Sequence, residues 1–143
     1  MFSKLFSGAG ISASGMSAER MRMDTVAHNI ANANSTQSAE GGAYRRKQLV
    51  FSAVMDPGAN GISGLKGVRV VGEESDQSEL PKVFSPGHPD ADENGLVTMP
   101  NVKLPNEMVD LITASRSYEA NLKALTTFKD MVEQTLTLLR AGR

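Results

Sequence analysis

The stretch NEMVDLITASRSYEANLKALTTFKDMVEQTLTLLRAGR, residues 106–143, decides the fold. Within it, positions 108, 111, 115, 118, 122, 125, 129, 132, 136 and 139 advance by threes and fours without a slip. They read Met, Leu, Ser, Tyr, Leu, Leu, Lys, Val, Leu and Leu, so all but Ser115 and Lys129 are apolar. An apolar spacing of 3.5 residues held over four heptads is the pattern of a coiled-coil seam. Asn106, just after Pro105, is placed to cap the helix start. Glu107 and Asp110 suit its positive end, and Arg140 with Gly142 suits its finish. Glu119 and Lys123 add a favourable i, i+4 pair. The spacing predicts a helix of about 33 residues, roughly 50 Å long at 1.5 Å per residue.

A weaker copy of the pattern opens the chain. Positions 2, 6, 9, 13, 16, 20, 23, 27 and 30 read Phe, Phe, Ala, Ala, Met, Arg, Met, Ala and Ile, broken by Arg20. Each early glycine costs about 1 kcal/mol relative to Ala in a helix. The expectation is a firm helix from about Ser17 to Ala31, with a frayed or partner-dependent turn before it. The Asn-rich run Asn29–Thr36 should end that helix, because Asn tolerates the left-handed conformation that helix termini use.

Between the two helical segments the composition changes. All six prolines (57, 81, 86, 89, 100 and 105) and nine of thirteen glycines lie from Gly41 to Pro105. Helix interiors exclude proline, so the chain divides into an N-terminal helical segment (1–36), a central β-rich and loop region (37–105) and a C-terminal long helix (106–143). Strand candidates in the centre are Tyr44–Phe51, Gly67–Val71, Lys82–Phe84 and Leu96–Met99. The fold class is mainly α: two long terminal helices pairing as a coiled coil, with a small β-rich insertion. Charges in the centre are segregated, with five bases and one acid from Tyr44 to Arg69, then seven acids and one base from Glu73 to Glu93. Two solvated faces, or head-to-tail contact between copies, both fit that layout.

Composition removes whole classes of function. With 15 Lys plus Arg against 16 Asp plus Glu, the net charge of -1 argues against a nucleic-acid partner. No Cys is present, so disulfides, thiolate catalysis and Cys-based metal sites are excluded, and His28 and His88 are too far apart in sequence for a His cage. No stretch approaches the roughly 20 apolar residues of a membrane span, so membrane insertion is not expected. Lys4 is the only early charge, and Gly8, Gly10 and Gly15 interrupt any apolar signal core. The chain is expected to be soluble when made, or to leave the cytoplasm by a route that reads no cleavable signal.

Two motifs invite chemistry and fall short of it. Gly8–Ala13 matches the dinucleotide fingerprint in letters, without the preceding strand or the acid about 20 residues on; close helix packing of small residues explains it better. Asp90-Ala91-Asp92-Glu93-Asn94-Gly95 opens like a calcium loop, but position 12 is Asn101 rather than Glu. A small calcium-binding module using Asp90, Asp92 and Asn94 is therefore the alternative reading, against a tight Asx-type turn. His88 beside Asp90 and Asp92 has no matching nucleophile, Asn34-Ser35-Thr36 is a sequon too common to weigh, and Arg45-Arg46-Lys47 reads as an exposed strand start. No catalytic, cofactor or metal residue is assigned. The terminal seams carry the functional signal, because a lone amphipathic helix forfeits about 1.5–3 kcal/mol for each apolar side chain left in water. The expected interface residues are Met16, Met23, Ile30, Met108, Leu111, Tyr118, Leu122, Leu125, Val132, Leu136 and Leu139. A weaker, glycine-broken N-terminal stripe cannot cover them all, so other subunits should complete the packing and order the chain ends.

Three blocks resemble the bacterial flagellar basal-body rod proteins, in the proximal-rod form. Asn29, Asn32 and Asn34, followed by Gly41-Gly42-Ala43-Tyr44-Arg45-Arg46, are similar to the family's Asn-rich motif. Gly87, His88, Pro89, Asp90, Asp92 and Gly95, running on to Met99–Val102, are similar to its central signature. Glu107–Ile112 and Ala114–Asn121 resemble the start of its C-terminal helix. Ser35 and Leu96 depart from residues common there. The resemblance implies a non-enzymatic structural subunit that polymerises with copies of itself and other rod proteins into a torque-transmitting shaft. It implies export by the flagellar type III apparatus without signal cleavage, a place in the periplasm-spanning rod, no cofactor, and an inter-subunit role for the Asp90–Gly95 turn.

Overall fold

A computed structural model describes residues 2–39, 41–56 and 64–141, with side chains from residue 8 to residue 140 of these. The elements are α1 (Phe2–Ala31), β1 (Lys47–Met55), β2 (Leu65–Ser75), β3 (Lys82–Phe84), β4 (Leu96–Thr98) and α2 (Leu104–Ala141). β1 pairs with β2 and β3 with β4, giving two two-stranded sheets between the helices. The fold is mainly α with a small β-rich centre, as the periodicities predict. No described helix is long and apolar enough to cross a membrane.

Two compact units divide these elements. One comprises Met1–Arg20, Phe51–Val71 and Ala114–Arg143; the other comprises Met21–Val50 and Gly72–Thr113. In the first, α1 and α2 run antiparallel: Gly15 faces Asn121, and Ala9 shares a groove with Leu125–Glu133. A Cβ on Gly15 would stand 3.0 Å from the Asn121 amide nitrogen, so glycine lets the helices approach there. Gly8 and Gly10 face open space, so the small-residue run is not where the helices approach most closely. In the same unit β2 is tied to α1 at Ser14, whose Oγ donates to Ile11 O (2.7 Å) and accepts from Val68 N (3.1 Å). Gly67 makes room for it, with φ of +135° and a notional Cβ that would collide with that Oγ.

In the second unit β3 and β4 pair antiparallel, Lys82 opposite Thr98 and Phe84 opposite Leu96. Val97 is its anchor, 1% exposed. Ala33, Ala43 and Tyr44 pack in the same unit, beside the buried polar side chains Asn29 and Glu107.

Several sequence expectations need correction. α1 is helical from Phe2 rather than from Ser17; antiparallel packing on α2 offsets the glycine penalty. Its end uses no left-handed residue, because no described non-glycine residue has positive φ. Instead Asn32 turns its own side chain back, Nδ2 donating to His28 O at 2.9 Å. α2 starts at Leu104, with Lys103 O accepting from Asn106 N and Glu107 N. Pro105 sits in the first turn, where its missing donor is harmless, and Asn106 is not the cap. β1 starts at Lys47 rather than Tyr44, since the Tyr44 and Arg46 amides donate to Ser35 O and Asn101 Oδ1 rather than to a ladder. Gly142 and the side chains of Phe2 and Phe6 lie outside the described residues.

Candidate functional site

The second unit is held by a buried polar clamp. Asn29, at 0% exposure, uses all four of its amide bonding positions. Its Nδ2 donates to Lys47 O (2.8 Å) and Glu107 Oε2 (2.9 Å). Its Oδ1 accepts from Lys47 N (2.9 Å) and from the Tyr44 hydroxyl (2.9 Å). Glu107, also 0% exposed, is neutralised by Arg46 Nε, while Arg46 Nη2 reaches Asp110 at 3.0 Å. The hydrogen bond to Glu107, with the fields of Glu107 and Asp110, raises the Arg46 pKa further despite partial burial. Asn101 closes the arrangement: Oδ1 accepts from Arg46 N (2.7 Å), and Nδ2 donates to Asp76 O (3.1 Å) and Ser78 Oγ (2.9 Å). Hydrogen bonds from the Ser78 amide and hydroxyl hold the Asp76 carboxyl below its usual range.

A buried charge pair of this kind contributes little net stability against an apolar alternative, and breaking it is costly. Its chemical meaning is register. An Asn on α1, a strand start and a Glu on α2 satisfy one another in one alignment only, and any slip leaves buried polar groups unpaired. None of this resembles a nucleophile with its base.

The helix faces differ from the seam expected. On α2 the inward positions are Glu107, Leu111, Ala114, Tyr118, Asn121, Leu125, Phe128 and Val132. Leu111, Tyr118, Leu125 and Val132 of the expected stripe face inward, while Glu107 and Asn121 take the inward places next to Met108 and Leu122. Met108 (57%), Leu122 (43%), Leu136 (50%) and Leu139 (63%) remain exposed, with Val109 and Ile112 beside Met108. On α1, Ala18, Thr25, Val26 and Asn29 are buried; Met16, Met23 and Ile30 are half-buried; Ala13, Arg20 and Ala27 are exposed. The apolar stripe of α2 is therefore wider than α1 covers.

The central turn is committed within the chain. Asp90 Oδ2 accepts from Thr36 Oγ1 (2.7 Å) and Oδ1 from Gln37 Nε2 (2.8 Å), while His88 Nδ1 accepts from Asp90 N (3.1 Å). Asp92 Oδ1 accepts from Asn94 N and Leu96 N, both 2.9 Å, which makes the Asx-type turn; Gly95 takes φ of +72°. The Asp90 and Asp92 oxygens thus face protein donors rather than a common centre, and the described residues hold no cluster of three acidic or His side chains fit for a metal. Gly87 and Pro89 are exposed within this turn, and Asn34 is exposed beyond the end of α1. The segregated charges also find partners inside the chain: Lys47 with Glu73 at 4.0 Å and Lys66 with Asp56 at 2.7 Å.

Sequence reasoning missed Tyr44, Arg46, Asn101, Glu107 and Asp110 as one cluster, and took Arg46 for an exposed strand residue. A signal existed: Glu107, Ala114, Asn121 and Phe128 form a second heptad flank, beginning with an acid that a dry interface must neutralise.

Two stretches match family models of a single protein class. Residues 93–138 match the flagellar basal body rod FlgEFG protein C-terminal model, and residues 11–38 match the flagella basal body rod protein model. Paired terminal helices around a β-rich insertion are thus those of a flagellar rod protein. Curated relatives narrow this. The chain is 38% identical to the flagellar basal-body rod protein FlgC of Borreliella burgdorferi, over 95% of the chain and 98% of that protein. It is 43% identical to FlgC of Salmonella typhimurium over 90% and 92%, and 42% identical to FlgC of Aquifex aeolicus over 92% and 94%. The chain belongs to the FlgC family of flagellar basal-body rod proteins, and is a structural subunit of the basal-body rod.

Proposed function

We propose that the chain is a non-enzymatic subunit that assembles with copies of itself and with other rod proteins, through the apolar flank of α2 that α1 leaves uncovered. Of the expected interface residues, Met108, Leu122, Leu136 and Leu139 of α2 are the contacts with neighbours on this reading, while Leu111, Tyr118, Leu125 and Val132 face inward and Met16, Met23 and Ile30 of α1 are half-buried. Segments 1–36 and 106–143 form the assembling helices, and 37–105 carries the outward-facing part. Export proceeds through the flagellar type III apparatus without signal cleavage, and the assembled rod transmits torque across the periplasm.

The observation that supports this reading is the exposed row Met108, Leu122, Leu136 and Leu139. Each is about half-exposed, so completing its burial contributes about 1 kcal/mol. A neighbour that covers Leu122, Leu136 and Leu139, all in the first unit, gains a few kcal/mol. Leu122→Asp tests the reading. Leu122 is exposed in the free chain, so the variant keeps its folded stability within about 1 kcal/mol and is still exported, while rods and swimming are lost. Normal swimming by the variant contradicts the proposal.

A further inference from the structure

We infer that the free end of α2 in one copy seats in an apolar groove of a second copy, a contact that rests on the rod-subunit reading above and gives it a direction. The groove, about 450 Å³, is formed in the first unit by Ala9 of α1 with Leu125, Thr126, Phe128 and Val132 of α2. Its exposed lining is almost wholly carbon, with Lys129 and Glu133 at the rim.

The same unit supplies the matching piece. Gly15 lies abreast of Asn121 in the antiparallel pair, α1 begins at Phe2, and α2 continues to Ala141. On the last turns of α2, Leu136 and Leu139 are 50% and 63% exposed. Leu139 follows the half-buried Val132 by one heptad and so continues the inward stripe of this unit, with Leu136 one turn before it. Here no described helix covers them.

The two surfaces also match in charge. Arg140 follows Leu139, and the last turn of α2 carries the helix's partial negative charge. The groove rim offers Glu133 to the arginine and Lys129 to the helix end. Lys129 and Glu133 lie 3.6 Å apart in the free chain, both mostly exposed, so that mutual pair is cheap to exchange. Both halves of the contact are on this chain, which makes a second copy the occupant. A projecting end meeting a different, concave surface is a heterologous contact, and such contacts repeat along a polymer rather than closing a dimer. End and groove are about ten residues apart on one helix, so parallel neighbours are offset by roughly 15 Å along α2.

The absence of Cys allows a clean test. Thr126→Cys and Leu139→Cys are made in separate chains, both at exposed positions. Oxidising an equal mixture of the two purified, concentrated proteins should give the mixed disulfide dimer in about tenfold excess over either like-with-like dimer, because only the heterologous pair is juxtaposed. Glu133→Lys in the Thr126→Cys chain should lower that yield, and Arg140→Glu in the Leu139→Cys chain should restore it. Like-with-like dimers at the statistical ratio, or no disulfide, overturn the contact. The same bond should form in rods purified from cells expressing both chains. Rods that contain the chain without this bond overturn the contact and leave the rod-subunit reading standing. Rods that lack the chain overturn that reading, and the purified mixture then still decides the contact.

Discussion

Asn29→Ala is the most informative single perturbation of the fold. It removes four hydrogen bonds at once, to the Lys47 amide and carbonyl, the Tyr44 hydroxyl and one oxygen of Glu107, the last two of them buried. Net hydrogen bonds are each worth about 0.5–1.5 kcal/mol, and an abandoned buried group costs more than the mean. The loss comes to about 4 kcal/mol, a large fraction of the 5–15 kcal/mol typical of a domain. Tyr44→Phe removes one of the four bonds and should cost about 1 kcal/mol. Asn29→Asp keeps the two bonds accepted at Oδ1 but sets a carboxylate oxygen where Nδ2 stands, 2.9 Å from Glu107 Oε2, so it should be at least as damaging as Ala. Urea denaturation followed by circular dichroism gives the three stabilities, and hydrogen exchange at the Lys47 amide reports the site itself. An Asn29→Ala protein within 1 kcal/mol of the parent, with Lys47 still protected, refutes the clamp.

Two further perturbations follow from local geometry. Gly67→Ala places a methyl group on Ser14 Oγ at a backbone angle that side chains avoid, so it should cost about 1–3 kcal/mol; thermal melting checks this, and Ser14→Gly in the same chain should recover part of the loss. Asp76 is held below its usual titration range by Ser78. A depressed folded-state value means that its contribution is complete above the unfolded-state value and disappears as pH falls through the folded one, below the ordinary carboxylate range. Ser78→Ala removes the hydroxyl and leaves the amide, so the Asp76 carboxyl should titrate higher by NMR; an unchanged or lower midpoint contradicts the assignment.

How far the sequence could be read depended on what each residue's partner was. The long helix, the paired termini and the β-rich centre were legible because apolar spacing, proline placement and glycine content act locally. Helix boundaries were less so. Pro105 fits a first turn as well as it fits a stop, and α1 extends through its glycines although only Gly15 among them lies against α2. The buried clamp was invisible for a different reason. Asn29, Arg46 and Glu107 each have an ordinary surface explanation when taken alone, and they join only when residues 78 positions apart meet. The α2 stripe was read as one seam of fixed width. In the folded chain, Glu107 and Asn121 turn inward and move Met108 and Leu122 to the outside.

That displacement is the centre of the account, and it can be measured directly. A Leu122→Cys chain, the only thiol in the molecule, should react readily with maleimide as free protein. In purified hook–basal bodies the same thiol should be present and protected, because a neighbouring subunit lies over that flank. Equal reactivity of Leu122→Cys in the free chain and in the assembled rod would contradict the claim that other subunits complete this helix.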